Sequence, residues 1–162
     1  MLRIKTSGMK HKLVYTIDNR GQSAIDKAIP SPILFILCYD NKSRYVAAYK
    51  RQSEADKHKW VVSSYFETQW MPDKARRVPL PVVLDLRALY HSILKAIIPL
   101  SARQNEKFSD FINRAEKLKM KEREAAKVEA RLIKEKQFNR KVEINAELRY
   151  IRSEIEKIKD EG

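Results

Sequence analysis

The sequence predicts an α+β fold: a small antiparallel sheet with two flanking helices, followed by a long helical, coiled-coil-like C-terminal extension. Two observations predict it. Between residues 33 and 70, three runs rich in aromatic and β-branched residues alternate with polar turn signals, the pattern of short paired strands. After residue 107, more than fifty residues pass without a Gly or a Pro, and apolar residues recur at helical spacing among Lys, Arg and Glu.

The strand region opens at residues 11–18, where Leu13, Tyr15 and Ile17 alternate with Val14 and Thr16 as in a short strand. A turn at 19–21 leads to a short helix over 23–29, which Pro30 and Pro32 end. Residues 33–39 are continuously apolar, as expected of a strand covered on both faces. A polar turn at 40–43 returns the chain into a strand at 44–50, and a charged loop at 51–58 leads to a third strand at 60–70 with a bulge near Ser63 and Ser64. These three consecutive strands make an antiparallel meander. Residues 71–81 form an irregular basic connection. A helix then starts at an Asp85 N-cap, carries Leu86, Leu89, Tyr90, Ile93, Leu94 and Ile97 on its apolar face, and stops before Pro99.

The extension contains two apolar series. Phe111, Ile112, Ala115, Leu118, Ala125, Val128 and Leu132 follow a near-heptad rhythm, and Leu148, Ile151, Ile155 and Ile158 follow another. Counting sevens from Val128 and Leu132 reaches Val142, Ala146 and Arg149 rather than Leu148, so the register breaks at about 137–145. One helix with a stutter and two helices folded back as a hairpin both satisfy this pattern. The division is therefore a basic α+β domain over 1–105 and a long helix or helical hairpin over 106–162.

Charge separates these regions. Residues 1–105 hold 18 Lys and Arg against 8 Asp and Glu, a net +10, whereas 106–162 hold 16 against 13, a net +3. The chain's overall +13 thus belongs mainly to the N-terminal domain, which will attract polyanions through counterion release. Lys50 and Arg51 at a strand end, Lys57 and Lys59 at the next strand start, and Arg76 and Arg77 beyond it are the candidate nucleic-acid contacts. Tyr49, Trp60, Tyr65 and Trp70 are interleaved with them, a combination that suits phosphate contact with base stacking. The structural alternative is that the tryptophans edge the core while the charges solvate loops.

Residues carrying chemistry are scarce. His11, His58 and His91 fall in separate elements without ligands at metal spacing, and three glycines in 162 residues leave no phosphate-cradling loop. No catalytic residue, metal site or cofactor is expected. A metal-dependent nuclease would want an acid two residues before a strand lysine, and Ala48 stands at that position before Lys50. The single Cys38 excludes a disulfide framework and reads as a small buried hydrophobe. No run approaches the roughly 18 to 20 apolar residues of a membrane span, and the N-terminus lacks a secretory apolar region. The expectation is a cytoplasmic protein that does not enter membranes.

Several stretches, in order, carry a family resemblance: Ala28-Ile-Pro-Ser-Pro-Ile-Leu-Phe35, Tyr45-Val-Ala-Ala-Tyr-Lys-Arg51, Trp70, Leu84-Asp-Leu with Tyr90, and Glu135-Lys-Gln-Phe-Asn-Arg-Lys-Val-Glu-Ile-Asn145. Over about residues 24–160 the chain resembles a bacterial family known as a domain of unknown function. Its members are typically encoded beside helicases and DNA methyltransferases in type III restriction-like and phage-defence gene clusters. They usually carry a longer N-terminal portion, so the sequence reads as a short member or a fragment. The resemblance implies context and partners rather than catalytic residues.

The functional expectation is a non-catalytic accessory protein of a DNA-processing system. Its basic domain would contact DNA or a DNA-bound partner, and its tail would dock on a helicase or methyltransferase through Gln137, Phe138, Arg140, Val142 and Asn145. The alternatives are a coiled-coil module that forms homo-oligomers through the tail without binding nucleic acid, and a degenerate nuclease-like domain.

Overall fold

The computed structural model describes residues 2–5, 24–26, 28–29, 31–53, 55–56, 60–72, 74–75 and 79–160. The chain divides into two compact units, Met1–Pro99 and Leu100–Gly162.

The first unit is built on a five-stranded sheet: β1 (Leu2–Lys5), β2 (Leu34–Tyr39), β3 (Lys42–Gln52), β4 (Trp60–Glu67) and β5 (Met71–Pro72). The spatial order is β1-β2-β3-β4, with β5 also pairing to β3. The meander β2-β3-β4 is antiparallel, as expected. The addition is β1, which pairs with β2 in parallel, Leu2 opposite Phe35, and so makes the sheet mixed. The strand expected over 11–18 lies outside the described residues.

Local chemistry explains the meander. Tyr39 pairs with Lys42 across a two-residue loop in which Asp40 and Asn41 both have positive φ, 44° and 56°. Asp and Asn tolerate that region, and positive φ at both positions gives the primed turn whose twist matches a hairpin. Between β3 and β4 the register shifts so that Tyr49 alone faces Ser63 and Ser64, which puts a bulge at the serine pair. Neighbouring residues point to opposite faces of a strand, yet Phe35 and Ile36 are both buried, as are Val46, Ala47 and Ala48 in succession. The centre of the sheet is thus covered on both sides. Residues 24–26 and 28 are helical, and Ile29 N–H donates back to the Ile25 carbonyl.

Helix α1 (Leu86–Ile97) begins at Asp85, whose carboxylate accepts the Ala88 N–H at 2.6 Å. It packs on β3 and β4 with Leu94 and Ile97 buried and Leu89, Tyr90 and Ile93 half-buried. Leu86, counted on the apolar face, is exposed because it lies in the first turn, clear of the sheet.

The second unit is a helical hairpin, which resolves the register break. Helix α2 (Phe108–Lys134) and helix α3 (Phe138–Asp160) run antiparallel. The ion pairs Lys121–Glu154 at 3.0 Å, Arg152–Glu129 and Arg131–Glu147 at 3.4 Å climb one helix as they descend the other. The two apolar series close on each other: Leu118, Ala125 and Val128 pack with Ile144, Leu148, Ile151, Ile155 and Ile158. The turn needs neither Gly nor Pro. Glu135 leaves the helix in extended backbone (φ −70°, ψ 137°), and its carboxylate accepts the N–H groups of Lys136 and Gln137 at 2.8 and 2.9 Å. Those two amides, near the start of α3, hold the Glu135 carboxyl below its usual range.

At the far end of the hairpin, Arg114 ties the chain together. Its Nε and Nη2 donate to the two Glu106 oxygens, each at 2.8 Å, and it also donates to the carbonyls of Ser101 and Ile158. Glu106 accepts the Arg103 N–H as well, at 3.0 Å. Among the described residues, no helix is long and apolar enough to cross a membrane.

Candidate functional site

Of the six basic residues singled out from the sequence, Lys50 and Arg51 lie among the described residues. Lys50 is the clearest departure. It was expected to contact DNA, but it is 6% exposed, and its ammonium donates to the carbonyls of Asp26 and Ile29, with the Ser31 carbonyl at 3.5 Å. The Asp26 carboxylate lies 3.8 Å away and the Trp60 ring centroid 5.9 Å away. Those carbonyls end the helical segment after residue 28, so Lys50 acts as a cationic cap on it. Burial lowers the Lys50 pKa, and the Asp26 charge opposes that shift.

A polar shell completes the cluster. The Tyr65 hydroxyl donates to the second Asp26 oxygen, and the Tyr90 hydroxyl lies 2.9 Å from the Ala48 carbonyl and 3.1 Å from that of Ile33. Burial pushes both phenols up, and Asp26 adds to it by its hydrogen bond and charge at Tyr65 and by its charge at Tyr90. An acid, a lysine and two tyrosines therefore meet under the sheet, but the ammonium is directed at backbone carbonyls. What this arrangement does is fasten Asp26, Ile29, Ser31 and Ile33 to β3, β4 and α1. Among the described residues, no group of three or more His, Cys, Asp or Glu is placed to hold a metal ion.

Of the other expected contacts, Arg51 is exposed at the end of β3, and Lys57, Lys59, Arg76 and Arg77 lie outside the described residues. The opposite end of β3 carries a cluster of which the sequence had pointed only to Trp70. The Arg44 guanidinium lies 4.9 Å from the Trp70 ring centroid and is held by Glu67 at 3.0 Å. Tyr39 meets Trp70 edge-on at 6.5 Å. Tyr39 is 61% exposed and Trp70 40%, with Lys42 exposed beside them in the hairpin. This is an aromatic platform next to cations, and the sequence signal was the period-2 spacing of Lys42 and Arg44 into a tight turn.

In the second unit, the expected partner residues gather at the hairpin tip. Phe138 is 78% and Val142 50% exposed; Gln137 and Arg140 are exposed and Asn145 is half-buried. Ile133, in the last turn of α2, is 83% exposed and was missed because Leu132 beside it continues the apolar series. A shallow cleft of about 390 Å³ between the helix ends is lined by Arg131, Lys134, Glu135, Arg140, Glu143 and Ile144.

With these surfaces placed, comparison with known proteins adds one finding. A family described as a domain of unknown function, DUF4391, matches residues 15–155. The chain belongs to the DUF4391 family. The match spans both units, so the helical hairpin is part of what defines DUF4391 rather than an appendage to it. Strand β1 lies ahead of the matched region. No curated protein and no solved structure matches the chain.

Proposed function

We propose that this DUF4391 protein is a non-catalytic accessory subunit of a DNA-processing system of the restriction or phage-defence kind. In this reading the basic α+β unit contacts DNA or a DNA-bound partner in the cytoplasm, and the hairpin joins the protein to a helicase or DNA methyltransferase. The observation that carries it is an aromatic–cation cluster, exposed Tyr39, Lys42 and Trp70 around a half-buried Arg44 held by Glu67, on a region with a net charge of +10. Stacking surfaces beside phosphate-seeking cations are how single-stranded nucleic acid is held with little sequence preference. The engagement of Lys50 with backbone carbonyls favours a binding role over nuclease chemistry. The apolar stripe that suggested self-association is used within the hairpin, which leaves the tip for a partner.

Electrophoretic mobility shifts over a salt series test the nucleic-acid half. Binding at low salt that weakens steeply as salt rises is expected, with Tyr39→Ala weakening single-stranded DNA by about 1–3 kcal/mol. Lys42→Glu should lower the salt slope by about one to two phosphate contacts. Absence of binding even at low salt would reject the DNA assignment.

A further inference from the structure

Charge in the helical unit is concentrated at one end. Residues 131–143 hold 5 Lys and Arg against 2 Asp and Glu, a net +3. That equals the whole net charge of 106–162, whose remaining residues balance at 11 against 11. Along the shafts the balance takes the form of the cross-helix ion pairs Lys121–Glu154 and Arg152–Glu129, and at the edge of the tip Arg131 pairs with Glu147. At the tip it gives way to exposed Lys134, Arg140 and Lys141 around three exposed apolar side chains, Ile133, Phe138 and Val142. Of the two acids there, Glu135 already accepts two backbone N–H groups of the turn.

We propose that the hairpin tip docks into an acidic protein surface, an apolar groove rimmed by Asp and Glu carboxylates. Phe138, Val142 and Ile133 enter the groove, and Lys134, Arg140 and Lys141 meet the rim. The inference rests on the reading that the hairpin mediates assembly and names the chemistry of its partner. Charge complementarity selects this occupant. A second copy presenting the same tip would set Lys134, Arg140 and Lys141 against their own counterparts, which like-charge repulsion opposes. A nucleic-acid backbone would satisfy the cations but leave three large apolar side chains facing phosphates. A protein groove serves both, with apolar anchors at the centre and charges at the rim.

The test is fluorescence anisotropy with the full chain and three labelled probes: an amphipathic peptide of Leu and Glu, the same peptide with Lys replacing Glu, and duplex DNA. The Leu/Glu peptide is expected to bind and the Leu/Lys peptide not to. Affinity for the Leu/Glu peptide should fall by about tenfold or more in Phe138→Asp, the loss of a central anchor, and by less in the rim variant Arg140→Glu. Both positions are exposed, so unchanged circular dichroism and melting should accompany the loss. DNA binding should be the same in both variants as in the wild type. A Leu/Glu peptide that fails to bind, or that binds Phe138→Asp equally well, overturns the proposal even if DNA is still bound. Loss of DNA binding in Arg140→Glu overturns it in favour of nucleic acid at the tip. Peptide binding by a chain that binds no DNA upholds it while rejecting the DNA half of the functional reading.

Discussion

Replacing Glu106 with Gln is expected to destabilise the helical unit by about 2 kcal/mol at neutral pH and to remove part of its acid sensitivity. Glu106 and Arg114 form a two-pronged pair at 2.8 Å with both side chains 9% exposed. Arg114 stands over the Phe111 ring at 5.8 Å and reaches the Ser101 and Ile158 carbonyls, so the pair joins the start of α2 to the end of α3. The Arg114 hydrogen bonds pull the Glu106 carboxyl from 4.5 to about 2, helped by the Arg103 N–H and opposed by burial. That difference corresponds to a ceiling of roughly 3 kcal/mol at 1.36 kcal/mol per unit of pH. Gln keeps the shape and one oxygen acceptor, which leaves about 2 kcal/mol to be lost. The folded-state pKa is depressed, so this stability is fully present above 4.5 and disappears as pH falls toward about 2. Urea denaturation followed by far-ultraviolet circular dichroism, repeated from neutral pH down to about 2, reads both effects. Wild type and Glu106→Gln should differ most at neutral pH and converge at the acid end. A variant within about 0.5 kcal/mol of wild type at neutral pH, or one with an unchanged acid decline, would refute the reasoning.

Two further outcomes follow from the first unit. Lys50→Met should cost about 3–5 kcal/mol by leaving the Asp26 carboxylate and the carbonyls of Asp26 and Ile29 without their cation. A Lys50→Met protein of wild-type stability in urea would contradict the buried-cap assignment. Asp85→Ala should cost about 1 kcal/mol through loss of the Ala88 N–H acceptor, read as a lower urea midpoint, and Asp85→Asn should recover most of it.

Much of the fold was legible because it is written in short-range chemistry. The hairpin at Asp40 and Asn41, the bulge at Ser63 and Ser64, the Asp85 cap and the two apolar series each depend on residues within a few positions of one another. The register break at about 137–145 fell just past the turn, which residues 135–137 make, and mostly within α3. It left open whether the chain bends there, because the bend is made by a Glu135 carboxylate taking two backbone amides rather than by a helix-breaking residue. The mixed sheet was not legible: β1 is four residues long and joins β2 across residues 6–33.

The candidate sites divide along the same line. By itself the sequence determined the strand meander, the two-phase helical tail, the excess of basic charge in 1–105 and the absence of familiar catalytic spacings. Phe138 and Val142 were legible only as part of the segment where the apolar register breaks, and the folded hairpin is what leaves both exposed. Only the tertiary structure decided that Lys50 is buried while Lys42 and Arg44 stand beside exposed aromatics. The reason is that periodicity assigns a residue to a face of its own strand, whereas what lies opposite that face comes from distant segments. Asp26, 24 residues before Lys50, and Trp70, 26 residues after Arg44, make one lysine a structural cap and one arginine a surface platform.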